Sequence, residues 1–202
     1  MTATLILPGY LGSGRDHWQS HWLMDDASAR QVEQEDWARP DLDLWLERLE
    51  RAVSAHDGVL LVAHSLGCLL AARLAASPLA ARVRGALLVA ACDPAVTEAR
   101  HPGAIRFGTP AERPLPFPST LVASRNDPYM PFAGSARLAA LWGSTMVDLG
   151  ESGHINVDSG FGRWPMGYRL ARLLFRPRDP AEAAFAPAAA FRGLVRDRRL
   201  AP

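Results

Sequence analysis

The 202-residue sequence predicts a three-layer α/β fold, with about six mostly parallel strands and helices packed on both faces. Three observations lead there. Four short apolar runs, at residues 4–7, 59–63, 86–91 and 120–124, contain no charge and are rich in Val, Leu or Ile, as strands buried on both faces are. Segments with helical periodicity separate them, and such alternation implies parallel neighbours joined by right-handed crossovers. The composition, 49% hydrophobic and 21% charged, is that of one ordinary domain able to bury a core without disulfide or metal staples.

Taken in order, residues 4–7 form the first strand and open into a glycine-rich loop, Leu7-Pro8-Gly9-Tyr10-Leu11-Gly12-Ser13-Gly14. A helix is expected over 16–24, followed by a weaker strand over 31–36 whose polar residues suit a sheet edge. The clearest helix spans 40–56, where Leu42, Trp45, Leu46, Leu49 and Val53 recur on one face, Pro40 fits a first turn and Gly58 an exit. Residues 66–76 are apolar nearly all round apart from Arg73, the pattern of a helix packed deep against the sheet. Residues 93–118, with Pro102, Pro110, Pro114, Pro116 and Pro118, read as an ordered loop too small for a lid domain. Helices over 133–142 and 167–175 and a strand over 145–149 complete the domain, placed at residues 1–176. Residues 177–202, rich in Pro, Ala and Arg, read as a C-terminal extension.

The charge balance removes several functions. All 22 basic residues are arginine and 21 residues are acidic, so the net charge of +1 provides no bulk field for nucleic acid or an anionic membrane. Cys68 and Cys92 are too few for a disulfide framework or a four-cysteine zinc site, and a reducing cytoplasm is the expected setting. Cys68 itself, on the apolar helix, reads as a buried, inert thiol. Neither a signal peptide nor a membrane span is recognisable. His17 and His21 stand four apart on a helix, but Trp18 occupies the place where a zinc protease has glutamate, so no metal is expected. Trp18, Trp22 and Trp164 read as core aromatics rather than a pocket lining.

The chemistry concentrates at Val62-Ala63-His64-Ser65-Leu66-Gly67. A buried strand runs straight into a buried helix with serine at the junction, which is the pattern of a nucleophile elbow. Ala63 replaces the first glycine of that motif, a small-for-small exchange. A serine hydroxyl needs a base oriented by an acid, and the rest of the chain offers both after later strands. His154, in Gly153-His154-Ile155-Asn156, is the candidate base. Asp127, in Ser124-Arg125-Asn126-Asp127-Pro128, is the candidate acid, with Asp93 as its rival, since each follows a strand at the sheet's carboxyl edge. The candidate oxyanion donors are the backbone N–H of Leu66, just after the serine, and of Tyr10 in the glycine-rich loop. That loop lacks both G-x-G-x-x-G and a P-loop lysine, so no nucleotide cofactor is expected.

These pieces, with His17-Trp18-Gln19 and Ser159-Gly160-Phe161-Gly162-Arg163-Trp164-Pro165, make the sequence resemble the small serine-hydrolase family of the α/β-hydrolase superfamily that includes retinoblastoma-binding protein 9 and YdeN. The resemblance runs over residues 4–175. It implies a compact α/β-hydrolase-like sandwich without a large lid domain, and it carries the family's catalytic serine, aspartate and histidine onto Ser65, Asp127 and His154. The expected activity is hydrolysis of a carboxylic ester or related acyl bond in a small-molecule substrate, without cofactor. Thioesterase or amidase chemistry uses the same residues, and a noncatalytic protein-binding module on a hydrolase fold is the alternative from another class. No protein partner is identifiable.

Overall fold

The computed structural model describes residues 2–174. The proposed C-terminal extension, and with it the boundary at residue 176, lies outside the described residues. Six strands form one sheet: β1 (Ala3–Leu7), β2 (Ala29–Gln31), β3 (Val59–His64), β4 (Val83–Val89), β5 (Ser119–Ala123) and β6 (Thr145–Asp148), in the order β2-β1-β3-β4-β5-β6. Every neighbouring pair is parallel. The order reverses direction at β1 and β3, so the carboxyl ends of those two strands border the crevice where such sheets place their sites.

Alternation along each strand divides the core. Leu5, Leu7, Leu61, Ala63, Leu88 and Leu121 pack with helices α2 (Leu42–Ser54), α3 (Leu66–Leu74) and α5 (Phe132–Trp142) on one face. Ile6, Leu60, Val62, Leu87, Val89 and Val122 pack with α1 (Trp18–Asp25) and α6 (Pro165–Leu173) on the other. Helix α3 is buried at all but one of its positions, as its nearly uniform apolar sequence requires. Trp18, Trp22 and Trp164 belong to the second core cluster.

Three local expectations need correction. The edge strand is at Ala29–Gln31 rather than 31–36, because the ladder with β1 runs only from Thr4 facing Ala29 to Ile6 facing Gln31 and ends at the bond from Val32 N–H to Ile6 O. Helix α2 begins after Pro40: Asp41 is its cap, with its carboxylate accepting from the N–H groups of Asp43 and Leu44. Within 93–118 lies a further helix, α4 (Pro94–Arg100), started by the Asp93 carboxylate and by proline in its first turn. The segment after it is loop, so the described residues include no lid domain.

Candidate active site

Ser65 sits where β3 ends and α3 begins, with φ 54° and ψ −121°, a backbone conformation that L-residues rarely adopt. The surroundings enforce it. Ser65 N–H donates to Val89 O at 3.1 Å, and the first turn of α3 lies so close to β1 that a Cβ on Gly67 would be 2.1 Å from Leu7 O. A Cβ on Gly9 would be 2.7 Å from Ser65 Cβ. Glycine at 67 and 9 therefore lets helix and loop approach the serine from two sides.

Ser65 Oγ lies 3.0 Å from His154 Nε2, and His154 Nδ1 lies 2.9 Å from both oxygens of Asp127. An ionised carboxylate only accepts, so Nδ1–H donates to Asp127 and Nε2 is left to accept from the serine hydroxyl. The Asp127 side chain is 2% exposed, and its Oδ1 also accepts from Tyr129 N–H at 2.8 Å. The fold thus brings Ser65, His154 and Asp127 into one hydrogen-bonded row. Asp93 is not part of it, because its carboxylate is committed to capping α4 through Ala95 and Val96 N–H.

Leu66 opens α3, where first-turn N–H groups have no acceptor inside the helix. Tyr10 N–H has no hydrogen-bond partner among the described residues, whereas its neighbours are held: Leu11 N–H by Trp37 O and Gly12 N–H by Gly9 O. Leu11, at φ 63°, turns the loop and leaves its side chain 63% exposed.

Several site residues escaped sequence reasoning because their roles are long-range. Gln19, fully buried, donates to Leu7 O and Val62 O and accepts from Ser13 Oγ, tying the glycine-rich loop to the ends of β1 and β3. Asn126 Oδ1 accepts from Ser124 Oγ and Gly153 N–H, and Ser124 Oγ accepts from Ser152 N–H, joining the loop of Asp127 to that of His154. The available signal was a cluster of Ser and Asn flanking each candidate residue. Beside the row, the ring of half-buried Tyr129 lies 4.5 Å from that of His154, tilted by 46°, and Tyr10, His101 and Tyr129 form a chain of rings.

His17 caps α1, its Nδ1 accepting from Gln19 N–H. Burial, then the charges of His154 and His21, push its pKa from 6.5 down to about 4. The unfolded chain therefore binds more protons than the fold between these values, so stability rises with pH through that window and is lost as pH falls. Melting temperature is expected to decline as pH drops from 6.5 to 4, and His17→Asn, which retains a capping oxygen, to recover up to about 3 kcal/mol at the acid end. An unchanged decline in that variant would exclude His17 as its source. Burial also raises both thiols, Cys92 to about 11 and Cys68 well above the ordinary thiol range, so both remain protonated.

The serine hydrolase family model matches residues 4–172. YdeN of Bacillus subtilis is 26% identical over 179 residues, covering 84% of this chain and 94% of that protein. The crystal structure of a YdeN-like protein from Pectobacterium atrosepticum superposes with a TM-score of 0.74 at 31% identity, covering 87% of this chain and 94% of the other. A carboxylesterase from Bacillus cereus shares the α/β-hydrolase fold at 18% identity and a TM-score of 0.53, covering 86% and 85%.

Proposed function

Because this chain belongs to the serine hydrolase family, we propose that it cleaves a carboxylic ester, or a closely related acyl bond, through an acyl-enzyme on Ser65. The observation that carries this reading is the unbroken row from Ser65 Oγ through both nitrogens of His154 to Asp127. As Ser65 Oγ attacks the acyl carbon, His154 Nε2 takes its proton, and Asp127 stabilises the imidazolium formed. The oxyanion is received by the N–H groups of Tyr10 and Leu66, each contributing about 3 kcal/mol in sites of this kind. Collapse expels the alcohol, which leaves with the proton from His154. Water then gives a proton to His154 and attacks the acyl carbon, releasing the acid and restoring Ser65.

The acyl group is proposed to be short. Beside His154 lies the ring of half-buried Tyr129, continued by His101 and Tyr10, with no lid domain among the described residues to enclose a long chain. A phosphonofluoridate probe is expected to form one adduct per chain, on the Ser65 peptide, in step with loss of acetyl and butyryl ester turnover. An adduct elsewhere, or turnover undiminished by it, would overturn the acyl-enzyme. Higher kcat/KM for long-chain than for acetyl or butyryl esters would overturn the short-acyl assignment.

The acid is separable from its rival by experiment. Asp127→Ala is expected to lower kcat by roughly 10^4-fold, the scale seen when the acid of such a row loses its charge. Asp93→Ala is expected to leave turnover per folded molecule near wild type while costing about 1 kcal/mol as a lost helix cap. The reverse pattern in kcat would reassign the acid to Asp93.

A further inference from the structure

His64 is a buried histidine with no part in the proposed reaction. It directly precedes the nucleophile, but strand alternation turns it to the other side of β3, where its ring packs 4.9 Å from His17 and edge-on to Trp18. From there it reaches across the sheet edge to the loop that carries the base. Its Nε2 lies 2.9 Å from the backbone oxygen of His154, and the two rings are 4.9 Å apart. A carbonyl only accepts, so this contact places a proton on Nε2 of His64. Burial above all, with the charges of His154 and His17 adding to it, holds His64 well below the ordinary histidine range, and the ring is neutral near neutral pH.

The base loop needs such support. It follows β6 without joining a sheet or an α-helix, and both Gly153 and Ile155 have positive φ, at 56° and 50°. Backbone polar groups removed from water require partners, and here side chains supply them. His154 N–H donates to Ser159 Oγ at 3.0 Å, Gly153 N–H to Asn126 Oδ1 at 2.7 Å, and Ile155 O accepts from Trp18 Nε1 at 2.9 Å. His64 is the partner of the base's own carbonyl. Rotating that peptide swings the imidazole relative to Ser65, and the bond from His64 opposes this rotation.

We infer that His64 is a positioning residue: by donating from Nε2 to the carbonyl of His154 it holds the base against Ser65, so that the nucleophile elbow and the base loop form one unit. The inference rests on the acyl-enzyme reading above. It assigns a chemical reason for histidine at this position, since a donor is needed at the distance of Nε2 from the backbone. Glutamine places an amide N–H2 at about that reach, asparagine stops one carbon short, and alanine offers none.

The test compares His64→Gln, His64→Asn and His64→Ala with wild type on a short-chain nitrophenyl ester, alongside Ser65→Ala and melting curves for each. Because Trp18, Ser159 and Asn126 still hold the loop, the expected loss for Ala and Asn is roughly 10- to 100-fold in kcat with KM little changed, the scale of a misplaced catalytic group. Gln is expected to regain most of it. The low-field proton resonance of His154 Nδ1–H should persist in Gln and broaden in Ala, reporting loss of a fixed ring. Wild-type kcat in folded Ala and Asn variants would overturn the inference, as would a folded Gln variant no better than Ala. If Ala fails to fold, the contrast between Gln and Asn decides in the same way. Full activity in Ser65→Ala would overturn the acyl-enzyme reading itself, a result distinct from His64 variants that are fully active while Ser65 remains essential.

Discussion

Ser65→Ala is expected to lower kcat for short acyl esters by about 10^4-fold or more, because no other hydroxyl can replace the one that bonds to the carbonyl carbon. Ser65 Oγ is the atom 3.0 Å from His154 Nε2, and losing it leaves the base with nothing to deprotonate but water. The same position carries backbone strain, at φ 54° and ψ −121°, a conformation costing on the order of 1–3 kcal/mol for a residue with a Cβ. Ser65→Gly should therefore remove turnover equally while raising stability by on the order of 1 kcal/mol, since glycine adopts positive φ without that penalty. Activity and stability moving in opposite directions at one residue would show strain maintained for function. Turnover retained in either folded variant would exclude Ser65 as nucleophile, and a less stable Ser65→Gly protein would exclude the strain argument. Steady-state kinetics and denaturant unfolding on the same preparations separate these results.

Gly67→Ala is expected to have the largest effect on the fold of any single methyl group added near the site. The new Cβ would lie 2.1 Å from Leu7 O, 2.8 Å from Leu7 C and 2.9 Å from Pro8 O, all backbone atoms. No side chain can rotate to relieve this, so α3 must move away from β1 or the start of the glycine-rich loop must shift. Overpacking in a rigid core commonly costs about 1–3 kcal/mol, and a clash with backbone belongs at or above the upper end. Activity should fall even in the folded fraction, because Leu7 and Pro8 lead directly into Gly9 and Tyr10, whose N–H is a proposed oxyanion donor. Urea unfolding should show a lower midpoint, and kcat measured below the transition should be reduced with Ser65 still labelled by the phosphonofluoridate. A wild-type midpoint with wild-type kcat would contradict the close approach of α3 to β1.

The strands at 4–7, 59–63 and 120–124 were legible because burial on both faces leaves a continuous apolar run, a signal carried by neighbouring residues alone. The elbow was legible for a similar reason: a serine between a buried strand and a buried helix, with glycine two residues on, describes a local turn. Edge strand β2, expected at 31–36, begins two residues and ends five residues earlier, because its extent depends on which residues meet β1, and Ala29-Arg30-Gln31 has no apolar pattern to announce that pairing. Helix α4 was hidden by the prolines around it, although Asp93-Pro94 at its start is itself a helix-opening pair.

From its residues alone, this chain determined the layer architecture, the buried faces, and the serine, the histidine and two aspartates eligible to work together. Asp93 and Asp127 each follow a strand and each makes local turn bonds, so chain order did not separate them by structure. Only the tertiary structure shows which of them lies beside His154, because β5 and β6 are neighbours and carry the loops of Asp127 and His154 to the same place, while the Asp93 carboxylate caps its own helix. The same is true of His64, whose partner lies 90 residues away. Hydrophobic period and turn chemistry act over a few residues and can be read along the chain, whereas a hydrogen bond between distant loops exists only once strand order and register have set which side chains face each other.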